Sequence, residues 1–224
     1  MSKPEVKPFP IDADVMSRIR PMQNVDAARV AELHQAAMGN SLWAKLGHRF
    51  LTELYKGLID NPRFLGFVYL EDGQIGGFIA GSTDAERMMK EVFRSRWIVL
   101  GAASFPNALK PGVVKHLVHT ARYFDASGAD VRAESLFCSF VPNLRGKRVS
   151  GHINKVLFDD LLARGIPAVK VTTEVDNEGA NRQLTSWGFE SRGTFRFYGK
   201  EMVTYVLDLE RSERVEAVMR HPAV

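Results

Sequence analysis

One cysteine, Cys138, stands among 224 residues, so no intramolecular disulfide can form and disulfide-stapled folds are excluded. Long hydrophobic runs are also lacking. The longest weakly polar stretch, Trp97 to Ala108, is about 12 residues, too short to span a bilayer, and no integral membrane segment is predicted. Internal repeats and low-complexity tracts are missing, which removes solenoids, arrays and fibrous chains. Neither Gly-x4-Gly-Lys-Ser/Thr nor Gly-x-Gly-x-x-Gly occurs, so the Walker loop and the dinucleotide fingerprint drop out. His116 and His119 lie three apart with no following Glu and no Cys partner; they read as surface residues rather than ligands, and no metal site is expected.

What remains is ordinary for a globular protein: 45% hydrophobic and 25% charged residues. The formal charge is +4, which suits nucleic acid, an anionic membrane surface or a phosphate-bearing ligand without choosing among them. Residues Met1 to Pro10 lack the apolar core of a signal peptide, and the expectation is of a cytoplasmic protein. Residues 1–16 read as a flexible tail, and so do residues 211–224.

Strands and helices then alternate. Ser17 to Met22 reads as a first strand. Asn24 or Asp26 can cap a helix carrying Val30, Leu33 and Ala37. A second helix is expected over Ser41 to Ile59, with Leu46, Phe50, Leu54 and Leu58 at four-residue steps. Phe64 to Leu70 and Gln74 to Ala80 flank Asp72-Gly73, a hairpin signal because glycine accepts the positive φ of a tight turn. From Thr83 to about Asp125 two or three helices are expected, broken at Pro106 and Pro111. Ala133 to Val141 reads as a strand, Gly151 to Arg164 as a helix, Val169 to Val175 as a strand and Glu178 to Trp187 as a short helix. Two last strands, Gly193 to Tyr198 and Met202 to Leu209, follow. The fold class is α/β or α+β, a mixed sheet covered by helices on both faces.

The segment most informative about chemistry runs from Phe140 through Arg145, Gly146, Lys147, Arg148, Val149 and Ser150 to Gly151. It joins a strand to a helix through a short basic turn, where free N–H groups and the helix dipole favour an anion such as pyrophosphate. The alternative is an ordinary solvated loop.

The string from Ala133 to Pro142 followed by Arg145-Gly146-Lys147 resembles the central strand and cofactor loop of the GNAT superfamily of N-acetyltransferases, whose loop reads Arg/Gln-x-x-Gly-x-Gly/Ala. Arg145 takes the first position, Arg148 stands for the first glycine and Ser150 for the second small residue. Arg148 is acceptable there if its φ stays negative. The block from Asn177 to Phe189 is similar to the family's Asn-Glu-x-Ala-x-x-x-Tyr-x-x-x-Gly-Phe, with Leu184 at the tyrosine position. The resemblance covers roughly residues 17–82 and 130–210 and leaves 83–129 outside as a helical insertion between the third and fourth strands.

The resemblance implies acetyl-CoA as cofactor, a twisted mixed sheet whose fourth and fifth strands splay, and an amine acceptor. Backbone groups of Ser139, Phe140 and Val141 would bond pantetheine, and residues 145–151 would hold pyrophosphate. Asn177 would reach pantetheine or a nearby backbone group, and Asn181 and Arg182 the outer parts of CoA. Glu134 is the candidate general base and Tyr198 the candidate acid, with a strand-edge carboxylate in solvent or a salt bridge, and a packed hairpin aromatic, as their plain alternatives. Cys138 reads as a packing residue, not a nucleophile. The insertion permits a lid over the acceptor, an amphipathic partner or membrane surface, or a structural cap; the lid is preferred because the insertion emerges beside the acceptor cleft.

Taken together, these readings give an acetyltransferase domain over 17–210 acting on a small-molecule amine, with a protein or peptide amine, or a CoA-binding module without catalysis, as alternatives. No nucleic-acid partner is expected, for want of a binding motif. A homodimer is left open.

Overall fold

The computed structural model describes residues 11–39, 41–105, 107–109, 130–197 and 199–210. In chain order its elements are α1 (Ala13–Ser17), β1 (Ile19–Pro21), α2 (Ala27–Met38), α3 (Leu42–Lys45), α4 (His48–Ile59), β2 (Phe64–Glu71), β3 (Gln74–Ser82), α5 (Ala85–Ser104), β4 (Glu134–Phe140), α6 (Val149–Ala163), β5 (Ala168–Glu174), α7 (Glu178–Ser186), β6 (Glu190–Phe197) and β7 (Lys200–Asp208). The strands form one seven-stranded sheet in the order β1-β2-β3-β4-β5-β7-β6. All neighbours are antiparallel except β4 and β5. That parallel pair needs a crossover, and α6 supplies it.

Alternation along the strands splits the apolar residues between two layers. On one face, Phe78 and Ala80 pack with Leu54, Tyr55 and Leu58 of α4 and Met88 and Val92 of α5. On the other, Leu65 and Ile79 pack with Ile153, Leu157 and Phe158 of α6 and with Ile11 and Val15 ahead of β1. Covering both faces explains why β2 and β3 read as almost continuous apolar runs.

Three expectations need correction. Residues 11–16 are not a loose tail: Asp12 caps α1 through bonds from the N–H groups of Asp14 and Val15, and Ile11 and Val15 are buried. The helix expected over Ser41 to Ile59 is two helices, because Gly47 has φ of 101° and the Asn107 side chain lies 2.7 Å from where a Cβ would stand. The insertion opens with α5, two helical stretches joined at a kink at Arg96 (φ −117°) and ending at Ser104, ahead of the break expected at Pro106; the rest of the helices expected to about Asp125 falls largely outside the described residues. Arg96 reaches across to Glu53 of α4 at 2.7 Å, and Arg63 to Glu91 at 2.7 Å. With Trp43 stacked on Phe93, the described half of the insertion is a structural cap on α4, not a lid. His116 and His119 lie outside the described residues.

The central feature is where β4 leaves its neighbours. Phe137 pairs with Ala80 but Ser135 with Gly81, so Leu136 is an extra residue and β4 bulges there. Beside β5, the ladder holds a single register pair, Glu134 with Lys170, supported by the Lys170 N–H bonded to the Ala133 carbonyl at 2.9 Å. Beyond that pair no further pairing of these two strands occurs among the described residues.

Candidate functional site at the splayed strands

A strand that loses its neighbour exposes backbone donors and acceptors on that edge. The Val141 N–H bonds the Gly76 carbonyl at 2.8 Å, toward β3. Alternation then turns the N–H and C=O of Ser139 toward β3 and those of Phe140 and Cys138 toward the gap beside β5. The expectation that Ser139, Phe140 and Val141 all present their backbone to a ligand is therefore corrected. Phe140 does; Ser139 and Val141 are engaged with β3. The Ser139 hydroxyl is engaged too, donating to the Leu33 carbonyl of α2 at 3.2 Å. Cys138 supplies the second gap-facing peptide, which its parity with Phe140 could have revealed. Its own thiol is pushed up to about 12 by burial.

The gap leads into the turn between β4 and α6. Pro142–Leu144 forms a 3-10 turn, Gly146 has φ of 84° and Arg148 has φ of 58°. The condition set on Arg148, a negative φ, is not met: the arginine holds a left-handed conformation, at a cost of about 1–2 kcal/mol. Left-handed residues on both sides of Lys147 turn successive N–H groups to one side, an anion-binding nest. Within it, the N–H groups of Lys147 and Gly151 are spent on the carbonyls of Leu144 and Arg148. Those of Gly146, Arg148, Val149 and Ser150 have no acceptor among the described residues. They stand at the N-terminus of a 15-residue helix, α6, whose dipole adds positive potential.

The charges around this cradle are not equivalent. Arg145 and Arg148 are exposed and form no ion pair among the described residues. Lys147 instead binds Glu71 of β2 at 2.6 Å, which ties the loop to the sheet. Glu71 also accepts from Tyr69 at 2.9 Å and from Arg18 at 3.3 Å, and the Lys147 and Tyr69 bonds hold its carboxyl below the usual range. Lys147 is a tether more than a free cation.

Glu134 lies at the closed end of the gap, 2% exposed, with its carboxylate 3.8 Å from the Lys170 ammonium, itself 5% exposed. It shares with Ser82 the face covered by α2, α4 and α5. That burial excludes a solvated carboxylate, and the ion pair with Lys170 is the salt-bridge alternative to the base role. Lys170 was not foreseen, since nothing in the sequence marks it from other lysines.

On the far side, Asn177 caps α7 by accepting from the Ala180 N–H at 3.2 Å. Asn181 donates to the carbonyls of Glu174 and Val175 at 3.2 and 2.9 Å, fixing the turn out of β5. Both side-chain groups expected to meet a cofactor thus have structural partners. The Asn181 Oδ1 is buried with no partner among the described residues. Leu184 packs into the second core cluster. Tyr198 lies outside the described residues.

Comparison with known proteins agrees with this geometry. No family model matches the chain. Over 64 residues it is 36% identical to the mycothiol acetyltransferase of Brachybacterium faecium; the match spans 29% of this chain and 19% of that protein. A GNAT-family protein from Desulfovibrio desulfuricans superposes with a TM-score of 0.56 at 10% identity, covering 85% of this chain and 98% of the other. A ribosomal-protein-alanine N-acetyltransferase from Brucella melitensis superposes with a TM-score of 0.55 at 17% identity, covering 85% and 99%. The chain has the fold of the GNAT acetyltransferases.

Proposed function

We propose that the chain is an N-acetyltransferase that moves an acetyl group from acetyl-CoA to a primary amine of a small molecule, an amino sugar or other metabolite, by direct attack of the amine on the thioester. One observation carries the reading: the unspent edge of β4 is followed, after the 3-10 turn at Pro142–Leu144, by the nest at 146–150. A ligand with amides along its length and a pyrophosphate at one end matches that sequence of partners. When bound, acetyl-CoA supplies an activated carbonyl and a thiol leaving group.

The chain's own residues divide the work. The peptides of Cys138 and Phe140 act as strand partners for amides, and an N–H on this edge serves as oxyanion donor. Gly146, Arg148, Val149 and Ser150 donate N–H bonds to phosphate oxygens, and Arg145 and Arg148 add charge. Glu134 takes the proton of the acceptor ammonium, and Tyr198 gives one to the departing sulfur. In this reading one domain, 17–210 with its insertion at 83–129, carries the reaction with residues 11–16 packed onto it. The excess of cations at the loop serves phosphate, not nucleic acid.

A second reading, a CoA-binding module without turnover, is favoured by the burial of Glu134 and by Leu184 at the tyrosine position. An acceptor screen separates them, reading free thiol from acetyl-CoA over amino sugars, polyamines, amino acids and peptides. Thiol release with a small amine supports the first reading, and release with peptides alone moves the acceptor to proteins. CoA binding with no release on any acceptor supports the second, and no CoA binding by calorimetry removes both. Glu134→Gln is expected to slow turnover while leaving CoA affinity unchanged; an unaltered pH–rate profile would withdraw the base role.

A further inference from the structure

Arg148 holds a backbone conformation that its side chain disfavours, in the middle of the cradle the proposed function depends on. Something must hold it there. Its carbonyl is the anchor: it accepts from the Gly151 N–H at 3.0 Å and the His152 N–H at 3.3 Å, and from His152 Nδ1 at 2.9 Å. The opposite ring nitrogen, Nε2, lies 2.9 Å from the Asp12 backbone nitrogen. An amide N–H can only donate, so Nε2 accepts, and the proton of the neutral ring sits on Nδ1, directed at Arg148. The ring is 1% exposed.

Asp12 is itself fixed. Its carboxylate caps α1, and its neighbours Ile11 and Val15 sink into the same apolar cluster as Leu144, Val149 and Ile153, the residues that seat the loop. One chain of contacts therefore runs from the apolar anchor Ile11, through the Asp12 amide and the His152 imidazole, to the Arg148 carbonyl.

We infer that His152 is a positioning residue for the phosphate-binding turn, and that the segment Ile11–Ser17 braces it. The imidazole compensates for the arginine at a position where glycine would need no support. This rests on the reading of the turn as a CoA phosphate site, but the brace can be tested without ligand.

Three substitutions decide it. His152→Leu keeps the volume and removes both ring bonds; His152→Asn keeps a side-chain N–H to offer the Arg148 carbonyl; Arg148→Gly removes the strain. In the ligand-free protein, the Gly151 amide, whose bond depends on where Arg148 sits, should exchange roughly tenfold faster in His152→Leu and recover in His152→Asn. Unchanged Gly151 exchange in a folded His152→Leu protein overturns the brace whether or not CoA binds. With CoA as probe, His152→Leu should weaken binding roughly tenfold in the Arg148 background, raising the acetyl-CoA KM with kcat and the acceptor KM retained. In the Arg148→Gly background the same change should cost less than about twofold. Equal losses in both backgrounds would show that His152 does not act through Arg148. If wild-type protein fails to bind CoA while the exchange result holds, the functional reading fails and the brace stands. Should His152→Leu not fold, His152→Ala, which also removes both ring bonds, gives the same comparison in the two Arg148 backgrounds.

Discussion

Glu134 and Lys170 form the one register pair of the β4–β5 ladder, and their charged groups, both almost fully buried, lie 3.8 Å apart. The strands part immediately after them. A charge pair at the hinge of a splayed sheet is expensive to bury and more expensive to break, because removing one partner leaves the other charge in a desolvated place. Lys170→Met is therefore expected to destabilise the fold by about 3 kcal/mol, measured by urea unfolding. The double change Glu134→Leu with Lys170→Met should cost less than the single one. A single substitution within about 0.5 kcal/mol of wild type would show that the pair is not what closes the gap.

Much of this arrangement could be read from the residues beforehand. The order of strands and helices from Phe64 to Ser82 and from Glu134 to Ser186 follows from apolar periodicity and from turns such as Asp72-Gly73, where both residues do take positive φ (51° and 76°). The strand-to-helix turn at 145–151 was legible because a basic stretch with a glycine separates two apolar runs of different period. Long-range partnership was not legible. Nothing local says that Lys147 spends its charge on Glu71, that Asp12 reaches a histidine 140 residues away, or that β4 carries an extra residue at Leu136. Which peptides face the gap depends on the partner of each, so of Ser139, Phe140 and Val141 only Phe140 is turned there, with Cys138 beside it. An asparagine at a helix start can serve a cap or a ligand equally well, and of the two uses expected for Asn177 the backbone bond is the one seen, from the Ala180 N–H.

Cys138 is the only cysteine, and its thiol is pushed up to about 12 by burial. The thiolate is the reactive form, and burial disfavours it in the folded chain. Folded protein is expected to react with a disulfide reagent orders of magnitude more slowly than the same protein in urea, with one thiol released after unfolding. Fast modification of the folded chain would show that the gap opens to Cys138 spontaneously.

Gly77 pairs with Phe140 across β3 and β4, and a Cβ on Gly77 would lie 2.1 Å from the Phe140 ring. Gly77→Ala must therefore push Phe140 aside at the residue whose backbone faces the gap. The expected cost is about 1–3 kcal/mol of stability, with weaker CoA binding. Gly179→Ala is the control: it sits in α7, where a Cβ would meet nothing closer than the Asn177 Oδ1 at 3.8 Å, and alanine in a helix should stabilise by about 0.5–1 kcal/mol. Equal behaviour of the two variants would contradict the packing at Phe140.

His34 of α2 is fully buried against Phe137, with ring centroids 4.7 Å apart, and its Nδ1 lies 2.8 Å from the Tyr55 hydroxyl. Its Nε2 is buried without a hydrogen-bond partner among the described residues, so a protonated ring would place an unsatisfied charge in the core. Burial lowers its pKa from 6.5 to about 4. The unfolded chain then binds more protons than the folded one between those values, and stability rises with pH across that window. The contribution is fully present above about pH 6.5 and lost as pH falls toward 4, amounting to about 3 kcal/mol for a shift of this size. Urea unfolding at a series of pH values should show that slope in wild type and a flatter one in His34→Gln, which has no proton to take up. Parallel slopes for the two proteins would mean that the ring has access to water in the folded state, and that the layer between α2 and β4 is looser than its packing indicates.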